Sequence, residues 1–314
     1  PTAVDTLAEI LRPALRKEDF DEEKGVILEE IAMYEDHPGW CLYERTMERY
    51  FGAHPSGHRV LGTKSTIEAM TRDAMKEYFD ARYSADNTVV AAAGALDFEA
   101  FVMQIAERCR DWQSTAPRRQ RLPFAPGSGP HIDFHDSANR AYLMGVAPAP
   151  ALDDPRRYAA GVLMHILGGG DGSRLHWALI EKGLAEEADA GHDPRDGQGI
   201  FVLSAACTPE SADEVSATIE AEVKRLGESL TDDDLLRAKR KIATSAALAG
   251  ERPAGRMSRI GALWTLLRRH RSLEEEMVEI ERLTLDDLRS CLRDFPPAPL
   301  LTGRLLPAAL APQS

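Results

Sequence analysis

Two glutamates seven residues apart, Glu23 and Glu30, are the side chains of this sequence best suited to chemistry. On a helical wheel of about 100° per residue the two carboxylates point in nearly the same direction. The same face carries five apolar or aromatic residues: Val26, Ile27, Ile31, Met33 and Tyr34. An ionised carboxylate buried without a partner is costly, so a core face of this kind should supply a cation, a metal ion or strong donors. Two interpretations stay open, a structural pair with Arg or Lys and a metal site.

A helix over residues 21–34 must present this pair, and Glu22 and Glu29 then project away from it as solvated charges. Apolar spacing predicts further helices over 4–15, 40–51 and 70–83. An apolar run predicts a strand over 88–93, and Asp97 is placed to open the next helix. The first 113 residues therefore read as alternating helix and strand.

A proline- and glycine-rich segment over 114–130 predicts a linker between a domain at 1–113 and a second domain at 131–314. The second domain should begin with β-structure, at Ile132 and Phe134 and then at 141–146. Helices are expected at 155–167 and 173–182, and strands at 187–190 and 200–206. A helix through 215–226 follows, and Thr231 with Asp234 forms a capping box for a helix reaching 249.

A short internal similarity relates residues 67–76 to residues 280–289, an offset of 280 − 67 = 213. If the two halves are duplicates and the second begins near His131, the first begins near 131 − 213 = −82. About 80 residues are then expected ahead of Pro1. The alternative is chance similarity between two amphipathic helices.

Several segments, in this order along the chain, resemble landmarks of the insulinase/pitrilysin family of metallopeptidases, the inverzincins. They are similar above all to the bacterial processing-peptidase-like branch. The segments are 20–38, around Val26-Ile-Leu-Glu-Glu30, 58–62, 78–83, 87–94, 170–175 and 181–185. The resemblance implies an α+β protein with two duplicated α/β sandwich domains, each a sheet covered by helices on a face, and with the first domain incomplete at its N-terminus.

The same resemblance implies a zinc-dependent endopeptidase acting on peptides. Glu30 takes the place of the family's third zinc ligand, and Glu23 the place of a carboxylate that supports the site without binding the metal. The family's two zinc-binding histidines and its catalytic base lie in a His-x-x-Glu-His helix about 77 residues earlier. None of the nine histidines here belongs to such a motif. The chain as given is therefore expected to be inactive alone.

A second departure concerns the Arg and Tyr with which active relatives hold the peptide. Alignment of Gly183-Leu-Ala185 puts Leu179 and Glu186 at those positions. The resemblance then implies a zinc-side subunit in a hetero- or homodimer, whose related partner supplies Arg and Tyr. The alternative is a non-catalytic structural or assembly subunit with the same fold.

Composition excludes other classes. The net charge of −13 disfavours nucleic-acid binding, and no run of about 18 apolar residues could span a membrane. Four scattered cysteines favour a reducing compartment, while the choice between cytoplasm and periplasm stays open because any export signal would lie ahead of Pro1. The glycine-rich stretch at 168–173 lacks the Walker spacing, which argues against nucleotide binding. His54 and His58 are four residues apart, but the proline and glycine between them break the helix that would bring the two side chains together on one metal ion.

Overall fold

A computed structural model describes residues 2–118 and 120–312. Twelve α-helices and five β-strands are formed within those residues. The helices are α1 Thr2–Ile10, α2 Lys17–Glu35, α3 Pro38–Phe51, α4 Lys64–Ala69, α5 Arg72–Arg82, α6 Phe98–Arg108, α7 Arg157–Gly168, α8 Ala212–Arg225, α9 Asp232–Glu251, α10 Pro253–Leu267, α11 Leu273–Arg282 and α12 Leu285–Asp294. The strands are β1 Gly129–His135, β2 Ala141–Ala149, β3 Glu187–Arg195, β4 Gln198–Cys207 and β5 Leu301–Pro307. A short π-helix covers His176–Ile180.

The chain forms two compact units that do not follow chain order. Unit 1 comprises the described residues of Pro1–Ala32, Leu61–Gln120 and Leu248–His270. Unit 2 comprises Met33–Val60, Arg121–Ala247 and the described residues of Arg271–Ser314. The segment Met33–Val60, ahead of the proline-rich stretch, therefore packs with the sheet that follows that stretch.

The five strands of unit 2 form one mixed sheet in the order β1-β5-β2-β4-β3. β1 runs parallel to β5, whereas the other neighbours are antiparallel. β2 lies at the centre, where Tyr142 is opposite both Ala206 and Leu305. An α+β fold is thus confirmed.

Both faces of this sheet are covered by helices. Leu143 and Ala147 of β2 join one buried cluster with Leu163 of α7 and Val215 of α8. Met144 and Val146 point the opposite way. They join a second cluster with apolar side chains of α3: Cys41, Leu42, Met47, Tyr50 and Phe51. The expectation that helices cover a single face is wrong for this unit, because β2 is apolar on both of its faces.

A polar contact also joins α3 to the sheet. The imidazole of His131 on β1 is buried, with Nδ1 2.8 Å from Asp133 Oδ2 and Nε2 3.2 Å from Thr46 Oγ1 of α3. Arg45 and Arg49 reach the other oxygen of Asp133 at 3.4 and 3.5 Å. His131, Thr46 and Asp133 therefore all have partners in this contact, as buried polar groups require.

The predicted strand over 88–93 is wrong. Thr88 has extended backbone angles, φ −109° and ψ 134°, but no β-ladder joins 88–93 to any described residue. A strand exists through hydrogen bonds to a neighbouring strand, and a local apolar run cannot supply that neighbour. Two predicted helices differ in extent or type: the one over 4–15 ends at Ile10, and the one over 173–182 is mainly the π-helix His176–Ile180. The helix opened by Asp97, whose side chain accepts from Ala100 N at 3.0 Å, and the Thr231–Asp234 capping box are confirmed.

No helix among the described residues combines the length and the apolar character that crossing a membrane requires.

Three half-buried histidines of unit 2 predict that acid destabilises this unit. Burial lowers the pKa of His131, His165 and His192 below the ordinary value of 6.5. As the pH falls toward 6.5, these three histidines are protonated in the unfolded chain at a higher pH than in the folded chain. The free energy of unfolding therefore falls as the pH drops from 7 toward 5. His192→Gln, which can still donate to Pro150 O as His192 Nε2 does at 2.8 Å, should reduce this fall by on the order of 1 kcal/mol.

Urea unfolding at pH 7 and pH 5.5, followed by tryptophan fluorescence, measures this difference. The exposed His58 provides the control variant His58→Gln, which should keep the wild-type pH dependence. The prediction fails if His192→Gln and His58→Gln reduce the pH dependence of the unfolding free energy equally, or if neither variant reduces it.

Candidate functional site

The helix α2 presents Glu23 and Glu30 on an open face. Both residues are exposed, and neither side chain has a hydrogen-bond or ion-pair partner among the described residues. Val26 is 45% exposed and Met33 is 60% exposed, while Ile31 is buried. The expectation that this is a core face is wrong for the chain described here, since only one edge of the apolar stripe packs inward.

An apolar cavity of about 310 Å³ in unit 1 opens beside Glu23. Three charged residues, Asp19, Glu23 and Lys24, take part in its lining. The rest of the lining is apolar: Pro13, Ala14, Leu15, Phe20, Ile27, Ile67, Met70 and Met75. A carboxylate at the border of an apolar cavity can orient a cationic or hydrogen-bonding group that enters it.

Lys24 fixes this part of α2 to α4. Its Nζ donates to Glu68 O at 2.7 Å and to Met70 O at 3.0 Å, the carbonyls at the C-terminal end of α4. A cation at that end of a helix satisfies carbonyls that lack partners inside the helix. Nearby, Arg72 Nε donates to Leu15 O at 2.7 Å and holds the segment that precedes α2. Lys24 is not among the residues predicted from the sequence, although a lone lysine after three acidic residues was the signal available.

Unit 2 contains a separate carboxylate cluster. Arg59, from the landmark segment 58–62, lies 2.6 Å from Glu48 Oε1, 3.6 Å from Glu44 Oε2 and 3.9 Å from Glu35 Oε1. Burial raises the pKa of Glu44, whose side chain is 13% exposed. Sequence reasoning did not identify this cluster, because only the fold brings Arg59 onto the carboxylates of α3. Its geometry is that of a structural ion-pair network.

No group of three or more His, Cys, Asp or Glu side chains among the described residues could hold a metal ion. Glu23 and Glu30 are separated by seven residues, which corresponds to about 10 Å along the helix axis, too far for both to bind one ion. A zinc site needs three or four protein ligands. The residues described here therefore do not form a zinc site by themselves, and Glu30 can contribute one ligand at most.

Two histidines, His54 and His176, have contacts within the protein. His54 Nε2 lies 3.2 Å from Leu122 O, and its Nδ1 accepts from Ser56 N at 3.1 Å. His176 Nε2 lies 3.2 Å from Glu181 Oε1.

The glycine-rich stretch also has a packing role. A Cβ on Gly168 would lie 2.3 Å from the backbone nitrogen of Ala190, so glycine is required where α7 meets β3.

The two positions aligned with the peptide-holding Arg and Tyr have other roles. Leu179 is fully buried in the main apolar cluster of unit 2. Glu186 is exposed and forms an ion pair with Arg140, at 2.6 Å. Neither side chain can replace the missing guanidinium or phenol.

Sequence comparison finds a match over residues 69–242 to the family described as the peptidase M16 inactive domain. An uncharacterized zinc protease of Streptomyces coelicolor is 33% identical over 305 residues, covering 94% of this chain and 66% of the relative. An uncharacterized zinc protease of Mycobacterium tuberculosis is 30% identical over 324 residues, covering 99% of this chain and 72% of the relative. The chain thus spans about two thirds of the length of the first relative and somewhat more of the second.

Solved structures show the same fold. The peptidase M16 inactive domain from Pseudomonas fluorescens superposes with a TM-score of 0.87 at 22% identity, covering 99% of this chain and 75% of that one. A protease from Helicobacter pylori superposes with a TM-score of 0.89 at 18% identity, covering 98% of this chain and 76% of that one.

The contacts of Lys24 predict that it stabilises α4. In Lys24→Met, two carbonyls at the end of α4 lose their cation, which should cost about 1 kcal/mol locally and speed amide exchange there five- to tenfold. Hydrogen–deuterium exchange of peptides covering 64–70 measures the change. The exposed Lys182 of unit 2 provides the control Lys182→Met, which should leave this exchange unchanged. Equal protection in wild type and Lys24→Met would contradict the assignment.

Proposed function

Because the chain belongs to the peptidase M16 family, we propose that it is part of a zinc-dependent endopeptidase that hydrolyses peptides. In this proposal the chain contributes the metal ligand Glu30, the supporting carboxylate Glu23 and an inactive peptidase-like domain. The observation that carries it is the 30% identity over 99% of this chain to a longer relative named a zinc protease. The two histidine ligands and the base would come from a His-x-x-Glu-His segment outside the sequence given.

The open face of α2 supports the assignment of one zinc ligand to this chain and of the other ligands to a segment outside it. Glu30 has no partner among the described residues, so its carboxylate can accept a metal without breaking an existing ion pair. The exposed Val26 and Met33 on the same helix suit a face that another layer of the first domain covers. The segment 88–93, which has no strand partner among the described residues, would have the same explanation, since further strands of that domain could provide its hydrogen bonds.

Glu23 would act as a positioning residue. At about 10 Å along the axis from Glu30 it cannot share the metal, but it can accept a hydrogen bond from a histidine ligand and fix the orientation of that ring. The apolar cavity beside Glu23 leaves room for a side chain of the covering layer.

The positions of Leu179 and Glu186 support the proposal of a partner subunit. Leu179 is in the core and Glu186 is paired with Arg140, so the groups that hold the peptide would come from a related peptidase-family subunit. We therefore propose a hetero- or homodimer in which that partner supplies Arg and Tyr. The peptide would bind extended, by adding a strand to a sheet edge.

Substitution of the glutamates in the full-length protein tests the metal assignment. Glu30→Gln should remove most of the bound zinc and most of the cleavage of a quenched fluorescent peptide, because a neutral amide is a poor zinc ligand. Glu23→Gln should weaken zinc binding about 10- to 100-fold, as loss of a group that orients a ligand does. Glu29→Gln, one residue from Glu30 and on another face, should change neither zinc content nor cleavage. Equal losses at positions 29 and 30 would refute the assignment.

The coding sequence for about 100 codons ahead of Pro1 provides a further test. A His-x-x-Glu-His motif whose second histidine precedes Glu30 by about 77 residues supports the peptidase. A first domain without those histidines would make Glu30 an orphan ligand and favour the non-catalytic assembly subunit.

A further inference from the structure

The segment from Arg252 to His270, which contains α10, is positively charged although the chain as a whole is acidic. It holds five arginines and no Asp or Glu, whereas the chain as a whole carries −13. The remaining residues therefore carry −13 − 5 = −18. A local excess of positive charge in an acidic protein attracts an anionic partner and repels much of the protein's own surface.

Most of these guanidinium groups are not neutralised. Arg252, Arg268 and Arg269 are exposed and have no carboxylate partner among the described residues. The Arg256 guanidinium donates to a backbone carbonyl, Gly250 O. Four other arginines of unit 1 are paired with carboxylates, as Arg16 is with Asp19 at 2.8 Å; the others are Arg72, Arg108 and Arg110. The guanidinium groups of Arg252, Arg268 and Arg269 are therefore open to an anionic ligand.

Apolar side chains accompany the charge. No residue of α10 is fully buried, Met257 is 40% exposed and Trp264 is 46% exposed. Met257 and Trp264 are seven residues apart and lie on one face of the helix. Arg268 caps the C-terminal end of α10 in the left-handed conformation, with φ 52° and ψ 33°, and Arg269 follows it. Trp and Arg are the residue types that contribute most to binding at protein interfaces.

We propose that Met257, Trp264, Arg268 and Arg269, the basic α10 surface, bind an acidic segment of the peptide substrate. The charge complementarity identifies the occupant: unpaired guanidinium groups favour carboxylates, and the flanking Met and Trp favour apolar residues between them. The inference rests on the proposed function in that it makes the bound peptide a substrate. Binding itself is measured without cleavage, so the two proposals can fail separately.

The experiment uses this chain and two fluorescein-labelled peptides, one rich in Glu and Leu and one in which every Glu is Gln. Fluorescence anisotropy at about 50 mM salt should show that the acidic peptide binds at least tenfold more tightly than the peptide in which Glu is replaced by Gln. The affinity for the acidic peptide should fall steeply as the salt concentration rises toward about 300 mM. Arg268→Ala/Arg269→Ala should weaken binding of the acidic peptide about tenfold, and Arg268→Lys/Arg269→Lys should restore most of it. Trp264→Ala should weaken binding of both peptides.

The matched control is Arg282→Ala/Arg293→Ala, two exposed arginines of α11 and α12. Both double alanine variants change the net charge from −13 to −13 − 2 = −15, and circular dichroism verifies that both are folded. Equal weakening in the two variants would overturn the proposal in favour of a net-charge effect. A lack of preference for the acidic peptide would overturn it as well. The proposal would also be overturned if the chain dimerises and Arg268→Ala/Arg269→Ala abolishes the dimer, since the surface would then bind a second copy of the chain. Acidic-peptide binding without cleavage by the full-length protein would overturn the peptidase proposal alone.

Discussion

The burial of both faces of the central strand β2 is the constraint on which the rest of unit 2 depends. Leu143 and Ala147 require cover on one face of the sheet, and Met144 and Val146 require it on the other. α7 and α8 supply the first layer, whereas α3 is the helix of the described chain that contributes several large side chains to the second cluster, including Tyr50 and Phe51. Because burying such side chains is worth about 1.5–3 kcal/mol each, unit 2 takes a segment from far ahead in the sequence.

This packing also determines where charge can be placed. Once α3 lies on the sheet, His131, Thr46 and Asp133 form a paired polar contact, and Arg59 meets Glu44 and Glu48. Buried charges are thus paired within unit 2. On α2 the opposite holds, because Glu23 and Glu30 are exposed and unpaired among the described residues. An exposed carboxylate costs little to keep ionised, so α2 can carry Glu23 and Glu30 without an internal cation.

The surface of α2 and the surface around α10 differ in the sign of their charge. α2 is rich in carboxylates and suits a cation, whereas the segment from Arg252 to His270 has only positive charge and suits an anion. The two surfaces therefore attract ligands of opposite charge, which a uniform net charge of −13 would not suggest. Composition measures the sum of the charges, but recognition depends on where they are unpaired.

The sequence by itself determined most of the elements, the α+β class and the family. Helical periodicity, capping by Asp97 and Thr231, and the ordered landmark segments depend on neighbours within a few residues, which a sequence displays directly. It also indicated that Glu23 and Glu30 share a helix face. Only the tertiary structure decided that this face is open, that 88–93 has no strand partner within the described parts of the chain, and that α3 belongs to the sheet after the linker. Each of these depends on residues that are distant along the chain, and a local pattern records that a surface is apolar but not which surface covers it.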